Sequence, residues 1–332
     1  MSKNSPNFLP KAIIGGYERG GTTFLSEWLR SAGYSSFFEI GVLLYKNPHL
    51  FSNDNIYHRN LQKYLKQKGC KVNLNYGEIE DFYSSIFHQI QNKEDLYFDK
   101  TPKYMEVLGE VIERAEFCKK FLIISRDPRC VMYSWAKRQK SETETYDEYI
   151  NNNLKQLAER YLNYYFGSIA YIEDPKVLFL KYEDLCLDYV YIKEVLENFL
   201  DIKINISDVF ERKSNYENVS KGFDFEKPFE AILELNKDLQ YKILDQTKQA
   251  AIFFHNDQFK PEFLKEWTSN FIDIKKLIQK YNLQNHSLKT SDGKGIIDPL
   301  YYYLKNLDVL KAKKNALDHF ENFGAKEGRH GR

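Results

Sequence analysis

Short apolar runs alternate along this chain with longer segments in which apolar positions recur every three or four residues. Ala12-Ile13-Ile14, Ser36 to Ile40, Tyr97-Phe98-Asp99, the KFLIIS run at 120–125 and Val177-Leu178-Phe179-Leu180 are of the first kind. Their length and bounding turns predict strands. The helical period carries Phe24, Leu25, Trp28 and Leu29 before Gly33, and it returns over 55–68, 79–91, 146–172, 189–200, 229–249 and 261–281. Pro102 and Pro128 fit the first turns of two more helices, the former reaching to about Ala115. The stretch 207–228 has no period and reads as loop. Strands alternating with helices predict an α/β fold: a central parallel sheet flanked by helices. In such sheets ligands sit beyond the carboxyl ends of the strands.

The residues after those strand ends are polar. Behind the first strand, Gly15 to Gly21 form a glycine-rich turn that runs through Arg19, Gly20, Gly21, Thr22 and Thr23 into a helix. Glycines let the backbone approach an anion, successive N–H groups point inward, and the helix start adds partial positive charge. The turn lacks the Lys that follows the glycines in an ATP-binding P-loop. Here the cation, Arg19, precedes them. An ordinary glycine turn of an α/β domain gives a similar pattern, so this stretch alone does not decide.

Behind KFLIIS comes Ser125-Arg126-Asp127-Pro128-Arg129-Cys130-Val131-Met132-Tyr133-Ser134. A strand-end Arg and a Ser two turns into the next helix can converge on one phosphate, Arg as a fork and Ser as a hydroxyl donor. Together the two stretches resemble the sulfotransferases that use 3′-phosphoadenosine-5′-phosphosulfate (PAPS). The first is similar to their 5′-phosphosulfate loop. The second is similar to R-D-P-x-x-V-x-x-S, which in that family reads the 3′-phosphate. Lys181-Tyr182-Glu183-Asp184-Leu185 resembles the family's R/K-Y-E-D-L, read as mainly structural. Asp99-Lys100-Thr101-Pro102-Lys103-Tyr104 resembles the E/D-K-T-P-x-Y of the heparan-sulfate type, and Ser220-Lys221-Gly222 a late S-K-G element near the nucleotide. The resemblance spans about residues 10–280 and implies a P-loop-like sulfotransferase fold.

It also implies PAPS as co-substrate, held by Arg19, Gly20, Gly21, Thr22, Thr23, Arg126, Ser134, Ser220, Lys221 and Gly222. Arg19 and Lys100 would stabilise charge on the leaving phosphate. Arg19 stands where many members have Lys, and Arg is a permanent cation that cannot act as an acid. The heparan-sulfate type has a Glu base shortly after the first helix, and Glu39 occupies the matching place. His49 and His58 are the rival bases. The implied reaction moves a sulfuryl group to an acceptor hydroxyl or amine. A saccharide or glycoconjugate is the expected acceptor, with Tyr17 and Tyr104 as aromatic surfaces for sugar rings; a lipid or small phenol is the alternative.

Composition narrows the alternatives. The net charge of +1 over 332 residues gives no global attraction for nucleic acid, so any anion site is local. Cys70, Cys118, Cys130 and Cys186 have no C-x-x-C spacing, and no metal-ligand cluster is visible, so no metal is expected. No run approaches the roughly 18 apolar residues of a membrane span, and MSKNSPNFLPK lacks the apolar core of a signal peptide. The expectation is a cytoplasmic enzyme of bacterial type. A kinase-like P-loop enzyme predicts the missing Lys. A non-catalytic scaffold that keeps the fold predicts eroded motifs, and these are intact.

The domain reading is a sulfotransferase domain over 1–283, a polar linker over 284–295 and a C-terminal helical module over 296–332. The last resembles a short unit of bacterial surface-polysaccharide enzymes, D-P-x-Y-Y…N-x-D-V…A…H-F…G…E-G-R. It matches at Asp298, Pro299, Tyr301, Tyr302, Asn306, Asp308, Val309, Ala316, His319, Phe320, Gly324, Glu327, Gly328 and Arg329. A docking module for a protein partner is the preferred reading of this tail. A helical pair packed on the main domain is the alternative.

Overall fold

A computed structural model describes residues 8–37, 39–52, 56–70, 73–89, 96–204, 227–228, 230–253, 273–274, 276–283, 288–292, 295–297, 299, 302–303 and 306–331. Two compact units divide the chain, Met1–His255 and Asn256–Arg332.

The first unit is built on a four-stranded parallel sheet. Strands β1 (Ala12–Gly16), β2 (Phe98–Lys100), β3 (Phe121–Ser125) and β4 (Val177–Lys181) lie in the order β2-β1-β3-β4. Every residue of β1, β2 and β3 is buried, as strands covered on both faces require. The register sets Ile14 beside Lys100, Gly16 beside Ile124, and Ser125 beside Lys181. The polar residues that follow the strands therefore leave the sheet along one edge. Gly16 is required there, because a Cβ would run into the Ile124 carbonyl and Thr22.

The helices of this unit are α1 (Thr22–Ser31), α2 (Pro48–Ser52), α3 (Ile56–Gln67), α4 (Ile79–Phe87), α5 (Leu108–Arg114), α6 (Pro128–Gln139), α7 (Tyr146–Ser168), α8 (Tyr182–Leu187) and α9 (Tyr189–Leu200). Two further α-helices follow at Glu230–Glu234 and Lys237–Gln246, and a 3₁₀ segment at Lys248–Phe253. Asp127 caps α6 by accepting from the Arg129 N–H, with Pro128 in the first turn. Thr145 and Glu148 form a reciprocal capping box at the start of α7, an arrangement worth about 1 kcal/mol. From α7, the Tyr161 hydroxyl donates to the Arg126 carbonyl at 2.8 Å, and its ring stacks on Tyr17 at 4.0 Å.

Three expected elements differ. The described residues of Ser36–Ile40 form no strand. Only Ser35 bridges to Tyr97, after which the Ile40 backbone bonds to the Asp99 side chain and Gly41 turns at a φ of 76°. The helix expected from Pro102 to Ala115 begins as a 3₁₀ turn over Pro102–Val107 and becomes α-helical only at Leu108. That turn is pressed against α7, where a Cβ on Gly167 would strike the Glu106 carbonyl. The helix expected over 229–249 breaks at Asn236, whose side chain caps the next segment.

The second unit has its own internal bonds. Leu288–Lys289, within the stretch read as linker, pairs antiparallel with Ile296–Ile297. Ser291 donates to the Glu321 carboxylate, and the Tyr281 hydroxyl donates to the Lys313 carbonyl at 2.7 Å. The recurring tail residues bond to one another. Tyr302 Oη lies 2.9 Å from His319 Nδ1, and Arg329 donates to Asp308 at 2.8 Å, Asn306 at 3.0 Å and Glu327 at 2.6 Å. A Cβ on Gly324 would hit the Tyr302 hydroxyl. The motif thus maintains the unit's own fold. Its Asp298 and Tyr301 lie outside the described residues.

Candidate active site

The glycine turn leaves β1 at Tyr17. Gly20 donates its N–H back to the Tyr17 carbonyl at 2.8 Å, Arg19 takes a φ of 66° and Gly21 one of 96°. The left-handed Gly21 is the N-cap of α1 and leaves the helix start without a side-chain cap. The N-terminal end of a ten-residue helix, with its partial positive charge, therefore faces the turn. Thr22 is buried and Thr23 half-buried in that first turn. A Cβ on Gly21 would run into the Tyr182 ring, which explains the glycine and gives the K-Y-E-D-L stretch a role. Tyr182 is the floor of the turn.

Tyr182 also lies beneath Arg126, whose guanidinium carbon sits 4.5 Å from the ring centroid. Arg126 is buried. It donates to the Arg19 carbonyl at 2.9 Å and to the Lys227 carbonyl at 3.1 Å, while its Nε makes no hydrogen bond among the described residues. Arg19 reaches across to α6, where its Nε donates to Ser134 Oγ at 3.0 Å. The two motifs, more than a hundred residues apart in sequence, meet through this bond and through Arg126. Burial, and then the charges of Arg138 and Arg126, hold the Arg19 guanidinium below its usual pKa. Arg138 lies one helical turn beyond Ser134 and is exposed. The sequence reading missed it. Its i+4 spacing from Ser134 was the available signal.

Glu183 supports this side from below. It is fully buried, accepts from the Asp127 N–H at 3.0 Å, and is pushed up to about 7 by burial and then by the nearby Asp127 charge. Asp127 in turn pairs with Arg129 at 2.6 Å.

At the end of β2, Lys100 Nζ donates to Glu39 Oε1 at 2.8 Å. The Lys100 side chain is 5% exposed and that of Glu39 22%, so the carboxylate is the half of the pair that solvent reaches. Beside Lys100, Asp99 is wholly buried and takes the hydroxyls of Tyr83 and Tyr104, each at 2.6 Å. An Asp inside a fully buried strand was the signal for this residue, and the sequence reading did not use it.

The other expected residues lie elsewhere or outside the described region. His58 bonds to Tyr76 at 2.7 Å and lies 3.1 Å from Gln62, within the α3–α4 region, and His49 is exposed on α2. Tyr17 and Tyr104 are fully buried, the first stacked on Tyr161 and the second bonded to Asp99, so neither offers a face to a sugar. Ser220, Lys221 and Gly222 lie outside the described residues. Among the described residues no cluster of His, Cys, Asp or Glu is arranged to hold a metal, and the four cysteines are free. No described helix is long and apolar enough to cross a membrane.

Residues 9–253 match the family model "Sulfotransferase domain". The chain belongs to the sulfotransferase family. Among curated proteins, none matches it. Among solved structures, the sulfotransferase domain of the olefin synthase of Synechococcus PCC 7002 is similar at 18% identity and a TM-score of 0.54, covering 76% of this chain and 98% of that one. This likeness supports the fold. Mouse sulfotransferase SULT7A1, solved with PAP, is similar at 17% identity and a TM-score of 0.46, covering 78% of this chain and 88% of that one. The sulfotransferase of Alicyclobacillus acidocaldarius is similar at 15% identity and a TM-score of 0.41, with 75% and 97% covered.

Proposed function

We propose that this sulfotransferase transfers the sulfuryl group of PAPS to a hydroxyl or amine of a saccharide or glycoconjugate. The observation that carries the reading is the 3.0 Å bond from Arg19 to Ser134, which brings the glycine turn and the R-D-P-x-x-V-x-x-S segment to one place. An anionic donor fits what lies there. Arg19, Arg126 and Arg138 gather around an uncapped helix start, and a buried Arg126 Nε has no partner among the described residues. On this reading the turn, with Gly20, Gly21, Thr22 and Thr23, holds the phosphosulfate. Arg126 and Ser134 take the 3′-phosphate, with Ser220, Lys221 and Gly222 proposed on resemblance alone.

The chemistry then divides between the two sides. Glu39 accepts the acceptor's proton as its oxygen or nitrogen bonds to sulfur. The bond from sulfur to the bridging phosphate oxygen breaks, and the charge left on that phosphate is stabilised by Arg19 and Lys100. Positioning and charge stabilisation do most of the work in such in-line transfers. The saccharide rests on the D-K-T-P-K-Y resemblance and on the tail unit, the latter also proposed as a docking module. We place the enzyme in the cytoplasm.

The test is transfer of labelled sulfate from PAPS to a panel of oligosaccharides, phenols and amines, with products identified by mass spectrometry. A sulfated saccharide is the expected result. Sulfation confined to phenols or amines overturns the acceptor class. Transfer of phosphate from ATP·Mg²⁺, with none of sulfate, overturns the donor.

A further inference from the structure

Two neighbouring residues on β2 face two neighbouring residues after α1. Lys100 Nζ donates to Glu39, and the Ile40 backbone donates to the Asp99 carboxylate. Glu39 is thus held at its side chain by one rung and at its chain neighbour by the next. Asp99 also gathers Tyr83 Oη from α4 and Tyr104 Oη from the 102–107 turn on one oxygen, each at 2.6 Å, and Thr101 Oγ1 at 3.4 Å on the other. The Tyr104 hydroxyl in turn accepts from the Leu43 N–H at 3.4 Å. One carboxylate therefore ties the 40–43 segment, α4 and the 102–107 turn to the end of β2.

A carboxylate is a costly way to fill a buried space. Burial pushes Asp99 up to about 6 in spite of the hydrogen bonds from Tyr104, Tyr83, Thr101 and Ile40. Packing alone is served by an uncharged residue. What a carboxylate adds is acceptor capacity on two oxygens with no donor of its own, so four donors from different segments converge in one fixed geometry. We infer that Asp99 is a positioning residue for the Glu39–Lys100 pair: it fixes the Glu39-Ile40 segment against β2 and so sets where the Glu39 carboxylate meets an acceptor. The inference rests on the proposed role of Glu39 as base.

The test is Asp99→Asn, which keeps shape and removes acceptor capacity. It is assayed for sulfate transfer, for calorimetric binding of adenosine 3′,5′-bisphosphate and for Tm. Misplacing a base by about an ångström costs roughly 100-fold, so kcat is expected to fall by about 10- to 100-fold. Bisphosphate affinity is expected to stay within about 2-fold, with Tm falling only modestly as buried donors lose an acceptor. In a Glu39→Gln background the same change is expected to add less than about 2-fold, because coupled residues are non-additive. Unchanged kcat in Asp99→Asn overturns the inference. So does a loss of kcat that tracks equal losses of Tm and bisphosphate binding, or a full additive loss in the Glu39→Gln background. Full turnover in Glu39→Gln alone overturns the base assignment instead. If Asp99→Asn does not fold, Tyr83→Phe removes one donor from the cluster; a severalfold drop in kcat with intact bisphosphate binding is expected, and unchanged kcat overturns the inference.

Discussion

The ends of β1 and β3 and the end of β2 lie side by side on one sheet edge, yet they treat charge in opposite ways. Around β1 and β3, Arg19 and Arg126 donate to a hydroxyl and to backbone carbonyls, and neither is bonded to a carboxylate among the described residues. Arg138 and Arg126 act on Arg19 as like charges. At β2, the one cation is matched by Glu39 at 2.8 Å, and the adjoining Asp99 is enclosed by hydroxyls. The first arrangement stores positive potential that an anionic ligand relieves. The second pairs its cation with a carboxylate and is arranged to hold that carboxylate in place. On the proposed roles, binding of donor charge and handling of the acceptor proton are separated, and substitutions on the two sides are expected to separate affinity from turnover.

The largest effect is expected on the β2 side. Glu39→Gln removes the proposed base and is expected to lower kcat by about 10²- to 10⁴-fold while bisphosphate affinity stays unchanged. Full turnover on the true acceptor contradicts it. On the cationic side, Arg126→Ala loses charged hydrogen bonds worth about 1.5–3 kcal/mol, or roughly 10- to 150-fold in Kd for adenosine 3′,5′-bisphosphate by calorimetry. An unaltered Kd places Arg126 among purely structural residues. Gly21→Ala puts a side chain at a φ of 96° and against Tyr182. A cost of about 1–2 kcal/mol in stability, with weakened bisphosphate binding, is expected in thermal melts and titration.

The smallest effect concerns Glu183, whose folded pKa of about 7 lies above the ordinary value of 4.5. Its contribution to stability is present at low pH and is lost as pH rises through about 7. Glu183→Gln removes that loss. The variant's Tm relative to the parent is expected to rise between pH 5 and pH 8, by roughly 2–4 °C for each kcal/mol recovered. A constant difference across that range contradicts the assignment.

Which parts of this were legible in sequence follows the same division. β1, β3, β4, α6 and α7 could be read because their signals are local: short apolar runs, Pro128 at the start of α6 and the helical period over 146–172. Both cationic motifs are contiguous stretches beside such elements, so Arg19, Arg126 and Ser134 were found together. The β2 side is built across the chain. Ser36–Ile40 looks like a strand by its apolar residues, yet its backbone is drawn to the Asp99 side chain. Tyr17 and Tyr104 read as surfaces for a ligand but are core residues, since an aromatic ring gives the same sequence signal in either place. Glu39 was located by resemblance, and its partner Lys100 by a separate motif. Their 2.8 Å contact is a tertiary fact that no spacing encodes.

The most direct measurement is calorimetric titration of the full chain, and of Arg126→Ala, with adenosine 3′,5′-bisphosphate, beside ATP·Mg²⁺ as the competing ligand. The account predicts micromolar binding of the bisphosphate that is weakened at least about 10-fold in the variant. Binding of ATP·Mg²⁺ with none of the bisphosphate, or of neither, contradicts it.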